Sequence, residues 1–162
     1  MEKNYKFCKK KDKKMRKDAS LSVIEDVKNN KLLMIRHQRG INKGYINFPG
    51  GKKEENESME DCVVRETLEE TGLLIKNPVK VGYMEFPEMN FYVHIYKSTE
   101  FEGNIINKED EVNAFWVDKD NVPLNEMREA DQNFVPDLLA GKYINRRYHY
   151  DENFKLKDVE EL

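Results

Sequence analysis

The chain has 162 residues, of which 38% are hydrophobic and 36% charged, and its formal net charge is −3. That length suits a single domain with its own core, and no apolar run approaches the ~20 residues of a membrane span. The lysine-rich start has no apolar segment behind it, as a secretory signal would, and Cys8 and Cys62 belong to no CxxC pair, so reduced thiols in a cytoplasmic protein are expected.

Residues 1–17 hold eight lysines and one arginine against Glu2 and Asp12, a balance of +7, which leaves −10 on the other 145 residues. The arm is expected to be solvated and flexible, and it is the one place where nucleic acid would bind. Residues 18–162 read as one domain. Ala19–Asp26 and Lys31–Arg36 are short apolar runs on either side of Val27–Asn30, the pattern of a hairpin. A polar loop from His37 to Gly44 leads through Tyr45–Pro49 to Gly50 and Gly51, where a tight turn and a close backbone approach are expected. Ser58 caps a helix that Gly72 ends. Strands are expected over Val79–Phe86, Phe91–Lys97 and Glu111–Val117. Asp131–Ala140 reads as a second helix, with Asp131 at its N-cap and Gly141 as its stop. Arg146–Tyr150 and Phe154–Val159 form a terminal hairpin. Strands on both sides of a central helix, with a later helix, point to an α/β fold with a mixed sheet.

The chemistry concentrates in the first helix. At about 100° per residue, Glu66, Glu69 and Glu70 lie within one arc of roughly 100°. Met59, Cys62 and Val63 project onto the same arc earlier, so the inward stripe turns from apolar to acidic. The opposite face, Val64, Leu68 and Thr71, is also largely uncharged, so the helix is expected to be covered on both sides. Like charges at this spacing repel, and more so when partly buried. A solvated acidic face is the ordinary reading of such a cluster; an oxygen-ligated divalent cation is the reading favoured here.

The spacing Gly51-x5-Glu57-x7-Arg65-Glu66-Thr67-Leu68-Glu69-Glu70-Thr71-Gly72-Leu73 resembles the Nudix box, G-x5-E-x7-R-E-U-x-E-E-x-G-U, where U is a bulky aliphatic. All seven fixed letters match, and Thr67 departs from the usual U. The resemblance implies a Nudix fold, a mixed β-sheet sandwiched between helices. It also implies hydrolysis of a nucleoside diphosphate linked to another moiety, with Mg2+ or Mn2+ as cofactor. Glu66, Glu69 and Glu70 are then metal ligands with the carbonyl of Gly50, and one of the three glutamates also serves as general base. Arg65 and Glu57 orient the ligands. Glu111, five residues before Trp116, stands where MutT-like members place a further carboxylate. Gly51, Lys52 and Arg36 are the candidate phosphate contacts.

The likeness extends to Gly44–Lys52, Glu111–Trp116 and Val122–Leu139, and there it is to the MutT-like oxidised purine nucleoside triphosphate diphosphatases. In the vertebrate-type member an asparagine before the glycines and a Trp-Pro-Asp-Asp stretch read the purine. Asn47 matches the first; Arg128-Glu129-Ala130-Asp131 aligns with the second and keeps only its last aspartate. Arg128 is a candidate to stack on the base in place of the tryptophan. The implied substrate is a nucleotide such as 8-oxo-dGTP. An RNA 5′-triphosphate end, a dinucleoside polyphosphate, a nucleotide sugar, or a sensing role without turnover are the alternatives.

Overall fold

The computed structural model describes residues 15–107 and 110–162. Most of the basic arm, Cys8, and Lys108 and Glu109 of the acidic loop lie outside the described residues.

The centre of the fold is β1, Lys17–Asp26, which begins two residues before the apolar run does. It turns at Val27–Asn30 into β2, Lys31–His37, as the hairpin pattern requires. β3 (Ile46–Asn47) pairs with β2, and β4 (Gly50–Lys52) pairs antiparallel with β1. Helix α1 spans Met59–Thr71. After it come β5 (Leu74–Lys76), β6 (Val79–Phe86), β7 (Phe91–Ser98), β8 (Glu100–Glu102) and β9 (Val112–Asp118). Helix α2, Glu129–Leu139, precedes the terminal hairpin of β10 (Ile144–Tyr150) and β11 (Leu156–Glu161). The main sheet runs β11-β10-β6-β7-β1-β2-β3, with β4 beside β1 and β9 beside β2. It is mixed: β1 pairs parallel with β7, and β6 with β10, while the other pairings are antiparallel. β5 and β8 form a separate two-stranded sheet, too short to stand out in the sequence.

Residues 19–25 of β1 are all buried, because helices cover both faces of the sheet there. Strand alternation then divides the core. Leu21, Val23, Leu32 and Met34 pack with Phe134, Val135 and Tyr148 on the α2 side. Ile24, Leu33 and Ile35 pack with Val63, Leu73 and Tyr96 on the α1 side. This is the expected sandwich of a mixed sheet between helices.

Three expectations change. Gly50 and Gly51 form no tight turn; they lie in a strand, and close approach alone demands glycine. A Cβ on Gly50 would fall 2.0 Å from the Ser20 carbonyl oxygen, and one on Gly51 would fall 2.2 Å from the Glu66 carboxyl carbon. Helix α2 starts at Glu129 with Arg128 as N-cap, so Asp131 is not the cap but a buried residue of the first turn. The outer face of α1 is not covered throughout: Leu68 is 47% exposed, and the buried residues are Cys62, Val63, Thr67 and Thr71.

The caps of α1 hold as expected. The Ser58 hydroxyl accepts from the Asp61 N–H at 3.0 Å, and Gly72 sits at φ 83° in the left-handed region. Thr67, the departure from the aliphatic position, is fully buried, and its hydroxyl has no hydrogen-bond partner among the described residues. A buried unpaired hydroxyl costs about 1–3 kcal/mol. Thr67→Val keeps the branched shape without that cost, and is expected to raise the thermal midpoint by about 2–4 °C per kcal/mol gained. Calorimetry of the two proteins checks this; an unchanged or lower midpoint contradicts it.

Candidate active site

The site is assembled where β4 crosses the inner face of α1. Arg65 is its organiser. Its Nε and Nη2 donate to the two oxygens of Glu57 at 3.0 and 2.7 Å, a bidentate clamp across the connection from β4 to the helix. Nη2 also donates to the Lys52 carbonyl at 3.1 Å. Nη1 donates to Glu66 at 2.8 Å and to Glu69 at 3.2 Å. One guanidinium therefore holds the loop and two of the three helix carboxylates.

Glu57 has a third bond, from the Glu54 N–H at 2.8 Å. The Arg65 hydrogen bonds, with that N–H, hold the Glu57 carboxyl down at about 2. Glu66 and Glu70 go the other way. Burial raises the Glu66 carboxyl against the pull of Arg65. Glu70 is pushed up to about 8, first by burial and then by the charges on Glu66, Glu111 and Glu69, while the Gly50 N–H at 3.2 Å opposes the rise. Glu69 is the most exposed of the three, at 57%.

Glu111 enters from the start of β9. Its negative charge adds to the rise of the Glu70 carboxyl, after burial and the charge on Glu66. Arg39 lies 3.9 Å from Glu111, a neighbour with no sequence signal, because its partner is 72 positions away. Cys62 is packed beneath the site, its sulfur 3.5 Å from the Gly51 carbonyl and 3.5 Å from the Ser20 hydroxyl.

Among the described residues no three acidic, histidine or cysteine side chains are drawn together as metal ligands. Glu66 and Glu69 turn to Arg65, and Glu70 turns to the Gly50 N–H. The donor set nevertheless fits a hard divalent cation. It is made of oxygens, its carboxylates raise one another's proton affinity, and Gly51 leaves space against Glu66 that any Cβ would fill.

The remaining candidates lie elsewhere. Lys52 is exposed, and its carbonyl is the part that Arg65 uses. Arg36 shares the strand face of Leu32 and Met34, on the α2 side, and donates to the Gly44 carbonyl at 2.8 Å and to Glu126 at 2.9 Å, so it is not placed among the carboxylates. Asn47 accepts from the Phe48 N–H at 2.7 Å, and Ile46 and Phe48 beside it pack in the same core as Ala130. Asp131 is 9% exposed, and burial pushes its carboxyl up to about 7 although the Arg128 N–H binds it. The Arg128 guanidinium lies 4.0 Å above the Tyr45 ring and donates to the Ile41 carbonyl at 2.7 Å and to Asn42 at 3.1 Å. Tyr45 was not singled out by its sequence position, because only the fold sets it beneath Arg128.

A NUDIX domain model matches residues 15–138. The chain belongs to the Nudix family. As a Nudix hydrolase it is a pyrophosphohydrolase acting on phosphoric anhydride bonds of nucleotides, and enzymes of this family generally use divalent metal ions. An oxidized purine nucleoside triphosphate hydrolase from Danio rerio is 28% identical over 151 residues, 88% of this chain and 96% of that protein. The protein of the same description from Mus musculus is 29% identical over 140 residues, covering 80% and 88%. The crystal structure of a MutT mutator protein from Bacillus halodurans superposes with a TM-score of 0.73 at 28% identity, covering 89% of this chain and 96% of that one. Among the described residues of this Nudix protein, no helix is long and apolar enough to cross a membrane.

The opposed carboxyl shifts predict two pH effects on the metal-free protein. Glu57 is lowered, so its contribution to stability is present above the usual carboxylate range near pH 4 and is lost as pH falls toward about 2. Glu70 is raised, so the folded state binds the extra proton, and stability falls as pH rises from about 4 to about 8. In chelator, Glu70→Gln is expected to become progressively more stable relative to the parent across that interval. Thermal melts from acid to mildly alkaline pH test this, and parallel curves contradict it.

Proposed function

We propose that this chain converts a nucleoside triphosphate to the monophosphate and pyrophosphate in a Mg2+-dependent reaction, and that oxidised purine nucleotides such as 8-oxo-dGTP are its preferred substrates. The cytoplasmic nucleotide pool is its setting. One observation carries the reading: the complete acidic end of α1 shares a scaffold with Asp131, a buried carboxyl pushed up to about 7 on the other face of the sheet. The relatives described as oxidized purine nucleoside triphosphate hydrolases support it, since they align along most of the chain.

Glu66, Glu69, Glu70 and Glu111, with the Gly50 carbonyl, would hold the ion. When bound, Mg2+ supplies charge neutralisation for the phosphates and makes a water easier to deprotonate. The chain's own residues do the rest. Arg65 keeps the carboxylates in place through its bonds to Glu57 and Lys52, and it prevents β4 from swinging away from α1. One of the helix glutamates takes the proton of the attacking water. The Lys52 ammonium and the backbone at Gly51 meet the phosphate chain.

Asp131 on the α2 side, and Asn47 at the neighbouring edge of β3, meet the edge of the base. A carboxyl that titrates near neutrality carries a proton to donate for much of the time, which suits an acceptor on an oxidised purine edge. Arg128, supported from below by Tyr45, offers the outer face of its guanidinium to the ring, where the aligned stretch of the family has a tryptophan.

Release of pyrophosphate in Mg2+ is the test, measured on dGTP, 8-oxo-dGTP, 2-hydroxy-dATP, a dinucleoside polyphosphate and a triphosphorylated RNA. The expected result is a kcat/KM for 8-oxo-dGTP at least about tenfold above that for dGTP, equivalent to ~1.4 kcal/mol. Glu69→Gln and Glu70→Gln should each lower kcat by about a hundredfold or more. Asp131→Asn should reduce the preference for the oxidised base while leaving metal-dependent turnover. Turnover of the RNA or the dinucleotide with indifference to base oxidation overturns the substrate assignment. Unchanged rates in the glutamate variants overturn the catalytic one.

A further inference from the structure

A cavity of about 400 Å3 opens at the other end of the sheet, between the strands and the C-terminal end of α2, and none of the acidic-site residues lines it. Leu32 borders it, whereas Glu111 lies beside Val112, the partner of His37 at the far end of β2. Five residues of strand separate the two ends, about 16 Å. The accessible floor is apolar, formed by Val81, Leu139 and Ala140 over the buried side chains of Val23, Leu32 and Leu138. Val81 stands at an irregularity in the β6–β7 pairing between Lys80 and Gly82. Tyr143, 58% exposed, offers its ring at the rim.

Lys97, Lys119 and Lys142 surround this floor, with Glu25 as the acidic residue among the lining positions. Glu25 is 6% exposed; Lys119 approaches one of its oxygens at 2.6 Å and Lys97 approaches the same oxygen at 3.5 Å. Lys142 pairs with Asp137, at 3.2 Å on the surface. Lys80 also borders the cavity, but its ammonium turns to His94 Nδ1 at 3.0 Å on the other strand face. Three lysines against Glu25 and Asp137 leave a surplus of one positive charge, in a body that is otherwise strongly acidic. The end of α2 takes up about half a charge, too little to explain the surplus. A floor of aliphatic side chains, a tyrosine ring and a rim of ammonium groups suit an anion with a flat apolar body, and the volume lies in the range of small-molecule sites.

We propose that this cavity is a second ligand site, distinct from the hydrolytic one, and that it binds a nucleoside monophosphate, with the base on the apolar floor against Tyr143 and the phosphate among Lys97, Lys119 and Lys142. Its occupant is of the same chemical class as the nucleoside product of the hydrolysis, but the site stands on geometry separate from that reaction.

The test is a titration of the full-length protein in chelator, where the carboxylate cluster repels phosphates, followed by amide chemical shifts with AMP, adenosine and inorganic phosphate as probes. AMP is expected to give saturable shifts at Val81, Lys119 and residues 138–143, with adenosine and phosphate each binding about tenfold more weakly or worse. Lys97→Ala with Lys142→Glu should weaken AMP about tenfold or more. Lys97 also neighbours the buried Glu25, so Lys142→Glu alone serves as the variant that leaves that contact intact; it should weaken AMP severalfold and leave kcat/KM for hydrolysis unchanged. Shifts confined to residues 47–52 and 131, no saturable shift at millimolar AMP, or an affinity the variants do not move would overturn the proposal. Phosphate binding as tightly as AMP would overturn the role of the apolar floor.

Discussion

The Arg65 guanidinium is the contact on which the site depends. Three carboxylates and a carbonyl compete for one cation, and the geometry assigns each of its N–H groups. Two go to Glu57 and fix the connection between β4 and α1; others reach Glu66, Glu69 and the Lys52 carbonyl. Without that charge the inner end of α1 would be a run of like charges packed against backbone. Its repulsion would be strongest where burial is greatest, at Glu70. The helix is tolerable because one end of the cluster is neutralised from within, and useful because the other end, Glu70 with Glu111, is not.

The sheet separates two kinds of chemistry by the alternation of its strands. Residues facing α1 meet the carboxylates; residues facing α2 meet Asp131 and the core around Phe134 and Tyr148. β4 lies where the two meet, since Gly50 pairs with Leu21 of the α2-side core and Gly51 abuts Glu66 of α1. A nucleotide bound across that point can present phosphates to one face and base to the other. The 38–45 loop is held against the α2 side by two arginines, Arg36 at Gly44 and Arg128 at Ile41 and Asn42. In the proposed substrate pose both cations sit beside the base rather than the phosphates, where the aligned stretch of the family has a tryptophan.

Much of the fold was legible. The β1–β2 hairpin, the strands from Val79 to Phe86 and from Phe91, and the terminal hairpin follow from apolar runs and turn residues, which are local properties. The caps of α1 were legible for the same reason, because Ser58 and Gly72 act within one turn of themselves. The start of α2 was misplaced by two residues, since Asp131 has the chemistry of a cap, yet Arg128 occupies the cap and Asp131 is buried against the core. The β5 and β8 pair gave no signal, as three-residue strands carry too little periodicity to register.

For the site, helical spacing by itself put Glu66, Glu69 and Glu70 on one arc of α1, and the resemblance to the Nudix box added Glu57 and Arg65; spacing is a property of the chain. The sequence also determined that glycine was needed at 50 and 51. Only the tertiary structure decided why, since the atoms a Cβ would strike belong to Ser20 and Glu66 on other elements. The same holds for the nearness of Glu111 to Glu70, the stacking of Arg128 on Tyr45, the diversion of Arg36 to Glu126 and the lysine-rimmed cavity. Each depends on pairs far apart in sequence, and no local pattern encodes a distance between elements that only packing brings together.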